Sequence, residues 1–251
     1  MIKVAVCGAY GKMGVEVCSA VEKDPAMQLV AKIDIKGDAY RSIEEAKQYS
    51  EIDILVDFTQ PSSIYENAKY CLKNGINMVI GTTGLKDEEI SYLKKISEEY
   101  KVGCLIAPNF STGAVLMMQF AKLAAKFFDN AEIIEMHHNQ KKDAPSGTAI
   151  KTALMMSEAK ESFKTGNCAE TETIQGSRGG SSYSDIQIHS VRMPGYMASQ
   201  EVLFGSAGQI LKIRHDSTDR KCYMDGVLMA VRYVYNHKGF VYGLENIMEG
   251  L

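Results

Sequence analysis

From Ile2 to Ala107 the chain repeats one pattern: a short apolar run rich in β-branched residues, a turn, then an apolar stretch with helical spacing. The runs are Ile2–Val6, Gln28–Ile33, Ile52–Thr59, Asn77–Ile80 and Val102–Ala107. Between them, Val15, Val17, Cys18 and Val21, and later Ile64, Ala68, Cys71 and Leu72, recur at helical intervals, and Asp87 to Tyr100 is a charged amphipathic stretch. Strands alternating with helices pair in parallel, and a parallel sheet needs helices on both faces. The alternation therefore predicts an α/β domain, whose ligands bind beyond the carboxyl ends of the strands.

The first of those ends is Gly8-Ala9-Tyr10-Gly11-Lys12-Met13-Gly14. A glycine turn between a strand and a helix is the opening of a dinucleotide fold: Gly8 and Gly11 let the backbone approach a pyrophosphate over the helix N-terminus, and Gly14 allows close helix–strand packing. The first gap is one residue wider than in the commonest fingerprint, and glycine turns also arise for steric reasons alone. Asp34 ends the second run about twenty residues later, where a carboxylate can accept hydrogen bonds from an adenosine ribose. The competing reading of Asp34 is a turn cap. Lys36 can tolerate a 2′-phosphate, so NADH and NADPH both stay open. Gly81-Thr82-Thr83-Gly84 is a second glycine turn at a strand end, suited to the nicotinamide half of a cofactor.

Pro108 to Gly113 reads as the exit from this domain. Ser111 or Thr112 can cap a long helix, Ala114 to Phe128, whose Leu116, Phe120, Leu123, Ala124 and Phe127 share one face expected to pack in the core. Ile133 and Ile134 then lead to His137-His138, Lys141 follows in a short loop, and Pro145-Ser146-Gly147-Thr148 opens an apolar helix. Imidazole and ammonium groups in one loop can move protons and hold an anion, and the free N–H groups of a helix start can hold another. A lone strand-end histidine is usually structural; the clustering here points instead to a small, dianionic, proton-demanding substrate. Side chains alternate along a strand, so His137 and His138 line one pocket only if the strand ends or bulges there.

Residues 164–185 are polar and glycine-rich and read as an excursion loop. Ile186–Arg192, Gln200–Phe204 and Gln209–Arg214 look like strands, with Gly205-Ser206-Ala207-Gly208 as a hairpin turn, which marks a second, α+β domain on a mostly antiparallel or mixed sheet. Asp225 precedes a helix, Gly226 to Tyr235, that packs on a larger body. A net charge of -3 gives no basic field for nucleic acid. The six cysteines (Cys7, Cys18, Cys71, Cys104, Cys168, Cys222) show no metal-ligand spacing and read as buried, reduced thiols. No apolar run approaches the ~18 residues of a membrane span, and no charged leader precedes the first strand. A soluble, cytoplasmic protein with no resident metal is expected.

Taken together, Gly8 to Gly14, Asp57-Phe58-Thr59, Gly81 to Gly84, Ala107-Pro108-Asn109-Phe110-Ser111 and, most specifically, His137-His138 with Lys141 and Asp143-Ala144-Pro145-Ser146-Gly147-Thr148-Ala149 resemble the dihydrodipicolinate reductase (4-hydroxy-tetrahydrodipicolinate reductase) family of the diaminopimelate route to lysine. The resemblance runs along nearly the whole chain. It implies an N-terminal Rossmann dinucleotide-binding domain (1–109 and 218–251) and a substrate-binding, oligomerising α+β domain (110–217) in a homotetramer. It implies NADH or NADPH as cofactor, with Gly8, Ala9, Tyr10, Gly11, Lys12 and Met13 on the pyrophosphate side and Asp34 on the ribose. Gly81, Thr82 and Thr83, with Ala107, Pro108, Asn109 and Phe110, would surround the nicotinamide. His137 and Lys141 would be catalytic proton carriers, and His138, Gly147 and Thr148 would bind the carboxylates of a cyclic dicarboxylate. Some relatives place an arginine directly after the ribose-binding acid. Ile35 stands there in this chain, which implies dual cofactor use or a lean toward NAD.

Two other classes fit parts of the pattern. Among two-domain oxidoreductases, a semialdehyde dehydrogenase would need a nucleophilic cysteine at a glycine-rich turn, whereas the cysteines here read as buried thiols. Sugar dehydrogenases of this layout often carry a Lys-Pro in the cofactor domain, whereas none of the five prolines follows a lysine. A non-catalytic NAD(P) sensor would need no proton-transfer cluster.

Overall fold

The structure is a computed structural model that describes residues 1–164 and 169–248. In chain order its elements begin β1 (Ile2–Cys7), α1 (Lys12–Lys23), β2 (Met27–Ile33), α2 (Ile43–Tyr49), β3 (Ile54–Asp57), α3 (Pro61–Lys73), β4 (Asn77–Ile80), α4 (Asp87–Tyr100) and β5 (Gly103–Ile106). They continue with α5 (Thr112–Ala125), β6 (Asn130–His137), α6 (Gly147–Ala159), β7 (Gly180–Ser181), β8 (Gln187–Arg192), β9 (Ala198–Ser206) and β10 (Gln209–Ser217), and close with α7 (Met224–Asn236) and β11 (Gly239–Tyr242). The chain divides into two compact units, one of residues 1–112 with 220–251 and one of residues 113–219.

In the first unit the six strands run β11-β5-β4-β3-β1-β2, and every pairing is parallel. β3, β4 and β5 are buried at every position, as strands covered by helices on both faces must be. Ile64, Leu72, Met78 and Leu93 are fully buried on one side, where α3 and α4 meet. The return segment supplies α7, which buries Val227, Ala230, Val231 and Val234 and lies beside α1, β4 and β5. β11, a half-exposed strand of four residues, is the short run Phe240-Val241-Tyr242 between Gly239 and Gly243, which the alternation up to Ala107 does not include.

The second unit carries a five-stranded mixed sheet in the order β10-β9-β6-β8-β7, with β6 and β8 parallel and the other pairs antiparallel. Ser206 pairs with Gln209, so Ala207-Gly208 is a two-residue hairpin turn, with Gly208 at φ 79°. Ile133, Val202, Phe204, Ala121 and Met156 join the sheet to α5 and α6 in one core.

Three expectations need correction. The run Ile52–Thr59 forms a strand only over Ile54–Asp57, because the Asp57 carboxylate accepts hydrogen bonds from the Thr59 N–H and hydroxyl and turns the chain. The helix expected from Ala114 to Phe128 runs Thr112–Ala125. It also faces the other way: of the five residues expected to be buried together only Ala124 is, Leu116 is half-buried, and Phe120, Leu123 and Phe127 are 48%, 56% and 75% exposed. Ala114, Val115, Met117, Met118, Ala121, Ala124 and Ala125 are buried instead. A helix with apolar residues on more than one face has no unique inner face by periodicity; small side chains and flexible methionines let it approach a sheet closely.

Residues 165–168, Cys168 among them, and 249–251 lie outside the described residues. In the rest of the 164–185 segment, β7 pairs with β8 and Arg178 bonds Glu132 at 2.7 Å. No disulfide joins Cys7, Cys18, Cys71, Cys104 or Cys222. Burial pushes the thiols of Cys7, Cys18, Cys71 and Cys104 up, Cys18 to about 11 and Cys104 to about 12, so none of the four offers a nucleophile at neutral pH. Among the described residues, no helix is long and apolar enough to cross a membrane.

Candidate active site

Every cofactor residue named from the sequence lies at or just beyond the carboxyl end of a strand of the first unit, or at the start of α1. β1 sits between β2 and β3, which is where connections from the sheet diverge and leave a crevice. A cleft of about 500 Å³ opens there, lined among others by Gly8, Tyr10, Gly11, Asp34, Arg41 and Thr59. Gly8 holds φ 78°, and a Cβ on it would lie 2.4 Å from the Phe58 carbonyl oxygen, so this corner admits only glycine. Gly11 is the residue before α1 and caps it with no side chain, leaving the helix's first N–H groups for an anion. Asp34 accepts N–H bonds from Tyr10 (2.9 Å) and Lys36 (3.0 Å), one on each oxygen, and so caps its turn and keeps lone pairs for a ribose. These features fit a dinucleotide.

A second cavity of about 210 Å³ is lined by Thr82, Thr83, Ala107, Pro108 and Tyr242, among others. Ala9, Lys12, Met13, Gly81, Asn109 and Phe110 line neither space. Phe110 is buried against Phe58, with ring centroids 5.8 Å apart. A Cβ on Gly81 would meet the same Phe58 ring at 2.1 Å, so Gly81 and Phe110 shape the site through that ring.

Sequence reasoning gave no role to three residues of this unit. Asp57 is fully buried and accepts from the hydroxyls of Thr59 and Thr82 on one oxygen (both 2.7 Å) and from Asn67 on the other (2.9 Å). It fixes the ends of β3 and β4 to each other and to α3. Arg41 bridges back from the start of α2, donating to the Asp34 carbonyl (3.1 Å) and the Gly37 carbonyl (3.0 Å). No local pattern announces Asn67 or Arg41, which reach the cleft only through the fold.

In the second unit the strand does end where two adjacent histidines require it: β6 closes at His137, and exposed His138 begins the loop. The His138 carbonyl accepts the Lys141 N–H at 3.2 Å, and its Nδ1 accepts the Gln140 N–H at 3.2 Å. The Lys141 ammonium rests on both carboxylate oxygens of Asp143, each at 2.8 Å. Ser146 caps α6 through the Ala149 N–H, and exposed Gly147 has open space around it. The start of α6 is therefore accessible to a carboxylate.

Behind this loop lies Glu135, with no solvent exposure. It bonds His137 Nδ1 at 2.5 Å, both terminal nitrogens of Arg192 (2.8 and 2.7 Å) and the Ser146 N–H at 3.1 Å. Burial alone would raise its carboxyl; the hydrogen bonds from His137, Arg192 and Ser190 outweigh that and hold it at about 2. The spacing Glu135-x-His137 on a strand is a signal for two side chains on one face. Arg192, 57 residues further on, has none.

The same two-part organisation is found in proteins of known family. The description "Dihydrodipicolinate reductase, N-terminus" matches residues 2–110, and "Dihydrodipicolinate reductase, C-terminus" matches residues 113–248. The 4-hydroxy-tetrahydrodipicolinate reductase of Listeria innocua is 48% identical over 265 residues, covering 99% of this chain and 100% of that protein. That of Gloeothece citriformis is 46% identical over 269 residues, covering 98% of each. Among solved structures, the dipicolinate-bound dihydrodipicolinate reductase of Paenisporosarcina is 44% identical, with a TM-score of 0.87 over 99% of this chain and 100% of that one. Matches that span both units at this identity leave one assignment: the chain belongs to the dihydrodipicolinate reductase family.

Proposed function

We propose that this chain reduces 4-hydroxy-tetrahydrodipicolinate to tetrahydrodipicolinate with NADH or NADPH, in the diaminopimelate route to lysine. The observation that carries this reading is the conjunction in the second unit of a histidine, a lysine and an open helix start within one short stretch, in a chain whose full-length relatives bear that enzyme's name. The relative described with dipicolinate bound supports a small cyclic dicarboxylate as the substrate. We assign dinucleotide binding to 1–109 with 218–251, and substrate binding and assembly to 110–217.

The reaction replaces a ring hydroxyl by hydrogen, so one hydride and one proton enter and one water leaves. The bound dinucleotide supplies the hydride. Gly8 to Met13 hold its pyrophosphate side, Asp34 its adenosine ribose, and Gly81 to Thr83 with Ala107 to Phe110 its nicotinamide end. Lys141 and His137 carry the proton. His138 and the N–H groups of Gly147 and Thr148 hold the two carboxylates, which with Lys141 spread the dianion's charge over a helix start, an imidazole and an ammonium. Consumption of NADH absorbance, dependent on 4-hydroxy-tetrahydrodipicolinate, tests the proposal. A sensor would bind NADH and leave that absorbance unchanged.

Cofactor choice rests on Arg41. Its guanidinium lies beside the residue that takes the ribose and keeps further N–H donors for an anion. A 2′-phosphate pays the repulsion of Asp34 and regains a charge-assisted bond to Arg41, so both dinucleotides are accepted. Arg41→Ala is expected to weaken NADPH about 10-fold, roughly 1.4 kcal/mol, and to leave NADH within about 2-fold, as read by calorimetry. Equal losses for both would assign Arg41 to bracing its loop alone.

Assembly as a homotetramer is supported by the sheet of the second unit, where Ile210 is 74% exposed beside a groove of about 300 Å³ lined by Leu203 and Lys212. Sedimentation velocity is the check. Among the described residues, Cys7, Cys18, Cys71 and Cys104 are buried and free of disulfides, which supports a cytoplasmic setting that cell fractionation tests.

A further inference from the structure

Glu135 is a charged residue at a fully buried position of β6, flanked by apolar Ile134 and Met136. Burying a carboxylate is costly unless donors surround it. Here the donors come from three elements: His137 two residues along the same strand, Ser190 and Arg192 of neighbouring β8, and the backbone of Ser146 at the start of α6.

We infer that Glu135 is the positioning residue of the reaction site, fixing hydrogen on His137 Nδ1 so that Nε2 is the nitrogen left for proton exchange, and bracing the Lys141 loop through Arg192. The roles of His137 and Lys141 come from the reductase reading; the placement of the hydrogen does not depend on it.

The argument for His137 is one of hydrogen-bond capacity. A neutral imidazole donates from one nitrogen and accepts on the other, whereas an ionised carboxylate only accepts. With Glu135 Oε2 at 2.5 Å from Nδ1, that nitrogen carries the hydrogen. The argument for Lys141 follows a chain of contacts. Arg192 Nη2 donates both to Glu135 Oε1 (2.7 Å) and to the Asp143 carbonyl (2.8 Å), and the Asp143 carboxylate receives the Lys141 ammonium at 2.8 Å. A rigid strand thereby sets the position of an exposed loop. Met193 N–H, bonded to the His137 carbonyl at 3.0 Å, holds Arg192's strand end against the same histidine.

The test is ¹⁵N NMR of the full chain labelled at histidine, without substrate at a pH where His137 is neutral, with His137→Asn identifying the signals. Wild type is expected to show a hydrogen-bearing Nδ1 and a bare Nε2. Glu135→Gln is expected to lose that preference, lower kcat about 100-fold or more, and leave NADH affinity within about 2-fold. Glu135→Asp, which keeps the charge, should retain the preference and recover part of kcat, and it carries the comparison if the glutamine variant does not fold. Arg192→Lys should keep the tautomer and raise KM for the dicarboxylate. Hydrogen on Nε2 in wild type, or an unchanged preference in Glu135→Gln, overturns the inference. Absence of reductase activity with the wild-type tautomer as expected would overturn the functional reading and leave this one standing.

Discussion

Lys141→Ala is expected to lower kcat by about 10²- to 10⁴-fold, the range that general acid–base groups supply, while the dinucleotide binds as before. The variant removes the ammonium that Asp143 holds at 2.8 Å, in a loop of the second unit, whereas the cofactor cleft is built entirely within the first. Stability should change little, since the pair is an exposed one between residues two apart. Lys141→Arg separates the two jobs assigned to this side chain. A guanidinium keeps the positive charge for a carboxylate but does not give up its proton. KM should then recover toward wild type while kcat stays low. Single-turnover and steady-state rates check both variants. A kcat for Lys141→Ala within a few-fold of wild type would remove Lys141 from the chemistry.

Gly14→Ala should damage the first unit more than any other single methyl group. Its Cβ would lie 2.0 Å from the Gly8 carbonyl oxygen and 2.8 Å from Ala9 Cα. Both are backbone atoms, so no rotamer relieves the overlap, and Gly8 cannot retreat because its own position is closed by the Phe58 carbonyl. The turn that Gly11 N–H closes onto Gly8 O at 3.0 Å must open. Overpacking of this kind costs about 1–3 kcal/mol and sometimes more, and the displaced turn should weaken NADH at least about 10-fold. Thermal melts and NADH titration measure the two effects. Gly147→Ala, with nothing within 4 Å of the added carbon, is the control that should melt like wild type.

Much of this architecture was legible in the residues because its signals are local. The strand Asn77–Ile80 and the helix Asp87–Tyr100 have the ends their composition gives them. The glycine turn after β1 and the helix opening at Gly147 also sit where their residues place them. What escaped was non-local. The inward face of α5 is chosen by what the sheet can accommodate, because apolar side chains lie on more than one of its faces. β3 stops early because a carboxylate at its end finds hydroxyl and N–H partners. Arg192 belongs beside Glu135 only because β6 and β8 pair in parallel, with Glu135 opposite Ser190 and His137 opposite Arg192. The motif named the candidate groups; the partners that support them arrive from distant strands.

The Asp57 carboxylate joins two spaces that a dinucleotide would occupy at opposite ends. Thr59 borders the larger cleft and Thr82 the smaller cavity, and both hydroxyls share one oxygen atom. That shared acceptor works as a rivet between compartments, so under the proposed cofactor assignment the smaller cavity is already assembled when the adenosine end arrives in the larger. Little ordering entropy is then left for the second half of the ligand to meet, and a fragment bearing only the adenine nucleotide should leave the threonine pocket's shape unaltered.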